Sequence, residues 1–273
     1  AIKFLDKLLL VNSQDVDFLY EKAQIYFIDE NWESLIQIYA KIYEIDREIL
    51  ILERMIELGN ATGNINNLYK NIQNIKINES DEVIILEILA KISYSLENFN
   101  SAISYLDRLN DITQSPIYYF LLGEIYMKLD NYSDAKINFE KSHKLDSNNL
   151  DTMRFLLICY STLSEKKNEK NLSKLIMENF PEESLGFESY AVALLDDGQI
   201  SEAISILIQA KNQFPDNFSI MFYLASSYKQ IFQYEESLEE FKLALKYQPQ
   251  SSIVWHSMAL IYEDMNQYNV SDS

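Results

Sequence analysis

The chain has 273 residues, of which 48% are hydrophobic and 24% are charged, so it holds enough apolar side chains to fold around a sizeable core. Only 5 residues are Gly and 4 are Pro, which leaves few tight turns. With 42 acidic and 23 basic residues the net charge is −19. This charge repels phosphate backbones and anionic membrane surfaces, so we predict no nucleic-acid partner.

The residue types that carry most catalytic and metal chemistry are scarce. Cys159 is the single cysteine and cannot form an internal disulfide, and the two histidines, His143 and His256, have no second His or Cys at helical spacing. The sequence also has no phosphate-binding Gly loop, no Gly-x-Ser-x-Gly and no zinc-protease helix motif. We therefore predict that the segment is not an enzyme, has no catalytic residue, binds no metal and needs no cofactor.

The sequence has no clear targeting segment. No stretch approaches eighteen uninterrupted apolar residues, and the Leu-rich start is interrupted by Lys3, Asp6 and Lys7. We predict no membrane insertion. The chain begins with Ala1, so the compartment is not readable; a cytoplasmic location is slightly favoured, and a periplasmic or exported one stays open if a signal precedes residue 1.

A repeat of about 34 residues runs through the chain. Pro181, Pro215 and Pro249 are spaced by 34 residues, and the same phase aligns a column of mostly small residues along the sequence. That column contains Ala23, Ile56, Ala90, Gly123, Leu157, Ala191, Ala225 and Ala259. The period predicts an array of similar structural units.

Each unit contains two stretches of helical periodicity. Twelve residues after the small column stand Leu35, Leu68, Ala102, Ala135, Glu169, Ala203 and Ser237, and a mostly large apolar residue follows four positions later. Spacings of three and four residues between apolar positions are typical of amphipathic helices. Short polar turns such as residues 196–199 separate the two stretches, so the sequence predicts two helices per unit and an all-α fold.

These columns resemble the tetratricopeptide repeat, a 34-residue helix-turn-helix. Residues 218–251 match the pattern almost throughout, with Leu224, Ala225 and Tyr228 in the first helix and Phe241 and Pro249 in the second. The resemblance implies a single right-handed α-solenoid over residues 1–273. Its expected parts are a second helix in residues 1–15, whole repeats at 16–48, 49–82, 83–115, 116–149, 150–183, 184–217 and 218–251, and a partial repeat at 252–273.

Two repeats depart from the pattern. Unit 49–82 has Ile56 and Gly59 where a small residue and Tyr are usual, and unit 150–183 has Glu169 where Ala is usual. Neither end carries the polar face of a capping unit, since Leu5 and Leu9 lie near the start and Trp255 and Tyr262 near the end. We expect a segment of a longer protein, or ends covered by a partner or a second copy.

The resemblance implies a concave surface formed by the first helix of each unit. Its second, fifth, ninth, twelfth and thirteenth positions point into that groove. The expected partner-binding residues are Tyr20, Gln24, Glu87, Phe120, Glu124, Met127, Arg154, Ile158, Glu188, Phe222, Ser226 and Lys229. Aromatic and apolar groups among them suit recognition of an extended peptide or a helix, although some of the rings could instead pack between adjacent hairpins.

One known binding mode of the family has no matching residues here. The members that hold a C-terminal carboxylate use Lys, Asn and Arg on three successive first helices, and in this chain Arg154 stands alone. With a net charge of −19, a basic or an amphipathic apolar protein partner is expected instead of an acidic tail.

The sequence therefore predicts a non-catalytic protein-interaction scaffold that binds a peptide or amphipathic helix in the groove. Two alternatives stay open. The array could be an architectural spacer or assembly subunit that contacts neighbours through its ends and convex face, including end-to-end self-association, or it could be the regulatory arm of a larger enzyme.

Overall fold

The computed structural model describes the backbone of residues 1–271 and the side chains of residues 1–266. Within that range every regular element is a helix, and consecutive helices form antiparallel hairpins that repeat along the chain. The predicted all-α helical-repeat fold is confirmed. The chain forms two compact units, Ala1–Ile125 and Tyr126–Ser273, whose boundary in the sequence falls inside a helix.

The first compact unit contains seven helices and the first part of an eighth among its described residues. They are α1 (Ile2–Val11), α2 (Val16–Ile28), α3 (Trp32–Asp46), α4 (Ile49–Thr62), α5 (Ile65–Gln73), α6 (Glu82–Ser95), α7 (Phe99–Ile112) and α8 (Pro116–Lys128). One buried apolar cluster extends from α2 through α6, and it includes the large side chains of Tyr43 and Met55.

The second compact unit continues the same alternation. Its described helices after α8 are α9 (Tyr132–Leu145), α10 (Leu150–Thr162), α11 (Lys166–Asn179), α12 (Ser184–Asp196), α13 (Ile200–Gln213), α14 (Phe218–Gln230), α15 (Tyr234–Tyr247) and α16 (Ser252–Ser271). Stacked rings of Phe139 and Phe155, with centroids 5.3 Å apart, and the buried Phe241 mark its core.

The turn between the two helices of a hairpin repeats in its backbone geometry. One residue with positive φ occurs in each such turn, at 33- or 34-residue intervals: Glu30, Gly63, Glu97, Asp130, Ser164, Gly198 and Phe232. Left-handed backbone costs most residues free energy because Cβ crowds the following carbonyl, and glycine avoids this cost. The period read from the side chains is thus also present in the main chain, although only two of these positions hold Gly.

Asparagine is the usual N-cap in this fold. The side chains of Asn31, Asn98, Asn131, Asn149 and Asn217 each accept a hydrogen bond from the backbone N–H three residues later, and Asp15 does the same for α2. Such caps satisfy amide groups that have no partner inside the helix. These five asparagines therefore help to define where helices begin.

The predicted columns lie in the core, with a few exceptions. Ala23, Ala90, Ala191 and Ala225 are buried, which lets the second helix of each of their hairpins approach closely, and Gly123 is buried as well. Within the last of these hairpins, the hydroxyl of Ser237 donates a 2.7 Å hydrogen bond to the carbonyl oxygen of Ala225. Ala259 of α16, in contrast, is exposed.

The two divergent repeats differ from the others locally. Helix α5 has 9 residues, whereas α7, α9, α11, α13 and α15 have 14 each. A Cβ atom on Gly59 would lie 2.8 Å from a methyl carbon of Leu68, so this glycine allows α4 and α5 to pack closely. In the other repeat, Glu169 is half-buried on α11.

Candidate functional site

A cavity of about 310 Å³ opens between α6, α7 and residues 116–125 of α8, all within the first compact unit. Ten residues line it: Glu87, Ala90, Lys91, Tyr94, Leu106, Leu109, Ile117, Tyr118, Leu121 and Ile125. The helical repeat explains their grouping, because residues three or four positions apart lie on one face of a helix. The cavity is therefore formed by one face of each of three helices.

Most of the cavity wall is apolar. Leu106 and Leu109 of α7 are buried and form its base, and Ile117, Leu121 and Ile125 follow one another at four-residue spacing along α8. Ile117 is 64% exposed, so it lies at the rim. A concave apolar surface with a few polar groups is the usual form of a ligand-binding pocket.

Two charged groups of α6 give the cavity an orientation. The hydroxyl of Tyr118 donates a 2.5 Å hydrogen bond to Oε1 of Glu87, which fixes this carboxylate against α8. Burial, and then the neighbouring Glu87 carboxylate, raise the pKa of Tyr118 to about 12, so its hydroxyl stays protonated at neutral pH. Lys91 is exposed one turn further along α6 and makes no ion pair with any described side chain.

The arrangement is suited to binding. Its polar groups are one carboxylate, one ammonium and tyrosine hydroxyls, which can orient a partner but do not form a nucleophile and base pair. In the described part of the chain, no group of three or more His, Cys, Asp or Glu side chains could hold a metal ion. None of the described helices is long and apolar enough to cross a membrane.

The single cysteine and the two histidines lie outside this cavity. Cys159 is buried in α10, and burial raises the pKa of its thiol to about 11, so the reactive thiolate is disfavoured. Burial lowers the pKa of His143 in α9. His256 is exposed on α16.

The predicted partner-binding residues of the first compact unit are not all brought together. Glu87 lines the cavity, whereas Phe120 and Glu124 are half-buried on α8 and do not line it. Tyr20 and Gln24 lie on α2 and do not line it. Tyr20 packs against the core cluster, and burial followed by the charges of Asp46 and Glu48 raises its pKa.

In the second compact unit, two predicted residues make polar contacts within the chain. Arg154 bonds through Nη2 to Glu183 at 2.8 Å and through Nη1 to Asp151 at 3.4 Å. Glu188 accepts hydrogen bonds from Asn217 at 2.8 Å and from the hydroxyl of Ser184 at 2.7 Å.

The other predicted residues of the second compact unit vary in exposure. Ile158 is 46% exposed, and Met127, Ser226 and Lys229 are half-buried. Phe222 packs into the core of its own hairpin, with its ring centroid 5.9 Å from that of Phe241 and 6.1 Å from that of Phe218. The Phe222 ring therefore contributes to the stability of this hairpin.

Sequence reasoning did not identify several residues of the cavity. Ile117 and Tyr94 occupy the second and twelfth positions of their repeats, so the positional rule for groove residues could have found both. Tyr118, Leu121 and the two α7 leucines stand at positions that usually face a neighbouring helix. No feature of the sequence alone indicates that a cavity remains beside them.

Two parts of the chain match a known family. Residues 116–149 and residues 219–251 each match the tetratricopeptide repeat. A tetratricopeptide repeat-containing protein of Methanocaldococcus jannaschii is 22% identical, in an alignment that covers 96% of this chain and 51% of the relative. The chain therefore spans about half the length of this relative.

Solved structures of low sequence identity share the fold. YrrB, described as a tetratricopeptide-repeat protein with an unusual peptide-binding site, is 19% identical and superposes with a TM-score of 0.57 over 66% of this chain and 93% of its own. MamA from Desulfovibrio magneticus RS-1 is 14% identical, with a TM-score of 0.54 over 63% of this chain and 98% of its own. Each likeness supports the helical-repeat fold.

Proposed function

We propose that this tetratricopeptide-repeat protein is a non-catalytic scaffold that holds an apolar side chain of a partner peptide or helix in the cavity between α6, α7 and α8. The observation that carries the proposal is the apolar lining of that cavity beside a fixed carboxylate. YrrB, a protein of similar fold, is described as having an unusual peptide-binding site, which is consistent with this role.

The size of the cavity limits what enters it. At about 310 Å³ it lies at the lower end of the range for ligand pockets, so it suits one large apolar side chain better than a whole helix. Burying such a side chain contributes about 1.5–3 kcal/mol. A useful affinity therefore needs further contacts along the partner.

Charge favours a particular kind of partner. The net charge of −19 attracts basic segments, and Glu87 places a carboxylate inside the cavity. Lys91 at the rim offers one ammonium to a carbonyl or acidic group beside the anchor. We therefore propose an amphipathic partner with an apolar anchor and mainly basic flanking residues.

The other predicted contact residues belong to the same proposal. Partner segments longer than the anchor would contact further residues on α8 and on the first helices of other repeats. These are Tyr20, Gln24, Phe120, Glu124, Met127, Arg154, Ile158, Glu188, Phe222, Ser226 and Lys229. Exposed side chains such as Gln24 and Ile158 can contact a partner directly. Arg154 and Glu188 would first have to break the contacts that they make within the chain.

The test selects peptides from a random displayed library and compares two variants. Ile117→Asp places a charge at the rim of the cavity, and Ile208→Asp places the same charge on an exposed part of α13. We expect the selected peptides to share a large apolar residue, and we expect Ile117→Asp to weaken their binding by about tenfold or more. Fluorescence anisotropy measures both affinities.

Two results would count against this function. Equal weakening of peptide binding by Ile117→Asp and Ile208→Asp would show a general charge effect. Selected peptides without a shared apolar residue would contradict binding through an apolar anchor. Circular dichroism spectra that match the wild type are the control for folding, and both isoleucines are exposed enough for this to be expected.

One observation favours assembly through α16 as a second candidate function. Trp255 and Tyr262 are 55% and 48% exposed, whereas Phe187 and Met221, which occupy the repeat position of Trp255, are 2% exposed. An apolar helix face of this kind can pack against another helix of a partner or of a second copy. A solution molecular mass that rises with protein concentration for the wild type, but stays constant for the Trp255→Glu variant, would support this assembly.

A further inference from the structure

A second, polar groove lies between α3 and α5, away from the apolar cavity. One part has a volume of about 520 Å³ and is lined by Glu33, Gln37, Gly63, Asn64, Asn66, Asn67, Lys70, Asn71 and Asn74. An adjoining part of about 270 Å³ is lined by Gln37, Ala40, Lys41, Glu44, Asn71, Asn74 and Ile75. Because Gln37, Asn71 and Asn74 line both parts, the two form one continuous groove, hereafter the amide groove.

Hydrogen bonds across the amide groove hold it at two points. Oε1 of Glu33 accepts a 3.0 Å hydrogen bond from Nδ2 of Asn67, and Oε1 of Glu44 accepts a 3.1 Å hydrogen bond from the backbone N–H of Lys76. Both carboxylates belong to α3 and both donors belong to the segment that begins with α5. The width between the two walls is therefore set by the chain itself.

Between these two points the amide groups are available. Gln37 and Asn74 form no side-chain hydrogen bond within the described residues, and both are exposed. Asn71 donates to the backbone oxygen of Asn67 at 2.9 Å, while its own Oδ1 accepts no hydrogen bond from any described group. The small side chain of Ala40, on the α3 wall, leaves room for a main chain to approach.

Charges in the amide groove balance. Glu33 and Glu44 are offset by Lys41 and Lys70, although the chain as a whole carries −19. A ligand of this groove is therefore not selected by its net charge. Primary amides, which donate and accept in one plane, match the N–H and C=O groups of a peptide backbone.

The length of the amide groove sets the length of an extended ligand. A helix rises about 1.5 Å per residue, and an extended chain rises about 3.3 Å per residue. Glu33 and Glu44 are eleven residues apart on α3, which corresponds to about 16 Å or roughly five extended residues. We propose that the amide groove binds an extended polypeptide segment of about five residues through its main chain.

Nuclear magnetic resonance tests this proposal with a blocked pentapeptide of threonine, whose β-branched residues favour extended backbone. The matched probe carries N-methyl groups on alternate residues and so lacks their N–H donors. We expect the threonine peptide to shift the side-chain amide signals of Gln37, Asn71 and Asn74 to saturation. The N-methylated peptide should bind at least about fivefold more weakly, as expected for the loss of one hydrogen bond.

A pair of variants provides the second arm of the experiment. Gln37→Leu removes an amide that makes no hydrogen bond in the described structure, so the fold should be unaffected, and it should weaken binding about fivefold. Asn212→Leu removes an exposed asparagine of α13 and should leave the affinity unchanged.

Three results would overturn the proposal. They are no saturable shift of these signals at millimolar peptide, equal binding of the two peptides, and shifts confined to the lining of the apolar cavity. Ile117→Asp, which impairs only the apolar cavity, should bind the threonine peptide normally, so the two sites can fail independently.

Discussion

Some repeats of both compact units carry a charged residue at the fifth position of the first helix, and the groups that contact this residue differ between the units. In the first unit Glu87 is held by the hydroxyl of Tyr118 at the edge of an apolar cavity. In the second unit Arg154 and Glu188 are held by Glu183 and Asn217, which are the last residues of the predicted repeats 150–183 and 184–217. In all three cases the partner is 29 to 31 residues further along the chain.

This difference separates what the repeat determines from what it leaves variable. The repeat fixes which positions of successive hairpins meet. The side chains at those positions decide whether the meeting point becomes a binding cavity or an internal polar contact. The third position of the first helix is the clearest case, since it holds Tyr118 in one unit and Gly186 in the other.

The largest expected effect is on stability, at Gly186. An added Cβ would lie 2.3 Å from the backbone nitrogen of Met177 and 2.5 Å from its Cα, so α11 and α12 would have to separate. We expect Gly186→Ala to lower the free energy of unfolding by about 3 kcal/mol, measured by urea denaturation. Ser205→Ala, at an exposed site of α13, is the control. A change below about 0.5 kcal/mol would show that the second unit is not packed this closely.

Tyr118→Phe should have a smaller effect that depends on pH. Loss of the hydrogen bond to Glu87 should cost about 1–2 kcal/mol at neutral pH. The pKa of Tyr118 is about 12 in the folded chain and about 10 in the unfolded chain, so its contribution is complete below pH 10 and is lost as the pH rises towards 12.

Urea midpoints measured between pH 8 and pH 12 test this sign. Stability of the wild type should fall more steeply above pH 10 than that of Tyr118→Phe. Burial, and then hydrogen bonding to Asp81, also raise the pKa of Tyr43 to about 12. The stability of the double variant Tyr43→Phe, Tyr118→Phe should therefore fall even less steeply with pH. If the urea midpoints of the wild type and the variants fell equally with pH, the raised pKa of Tyr118 would be contradicted.

A modest gain in stability is expected at Glu97. This exposed residue adopts φ 57° in the turn between α6 and α7, where glycine is favoured. Glu97→Gly should therefore raise the free energy of unfolding by about 0.5–1 kcal/mol. The same change at the exposed helical Glu53 should lower it by about 1 kcal/mol, and thermal melting of both variants checks this opposite sign.

The smallest effect is expected at Arg154. Its side chain is 42% exposed and its pair with Glu183 is accessible to water, so Arg154→Ala should change stability by less than about 0.5 kcal/mol. Binding of short peptides that occupy only the apolar cavity should also be unchanged. A loss of binding would mean that the second unit takes part in recognition, as the positional rule predicts.

The fold was more predictable from the sequence than the site. Small residues such as Ala191 and Ala225 recur because every hairpin needs a close helix crossing, and a need that repeats leaves a visible period. Gly186 and the cavity beside Tyr118 each occur once, so they leave no period to detect. Glu87 was identified because the rule for groove positions applies to every repeat, whereas the apolar residues around it depend on how three particular helices pack.

Hydrogen exchange of the chain with and without a selected peptide short enough to occupy only the apolar cavity tests the central claim most directly. We expect slower exchange in α6 and in residues 116–125 of α8, and unchanged exchange in α12 and α14. Protection confined to α12, α14 or α16 would contradict it, because the partner would then bind away from the apolar cavity.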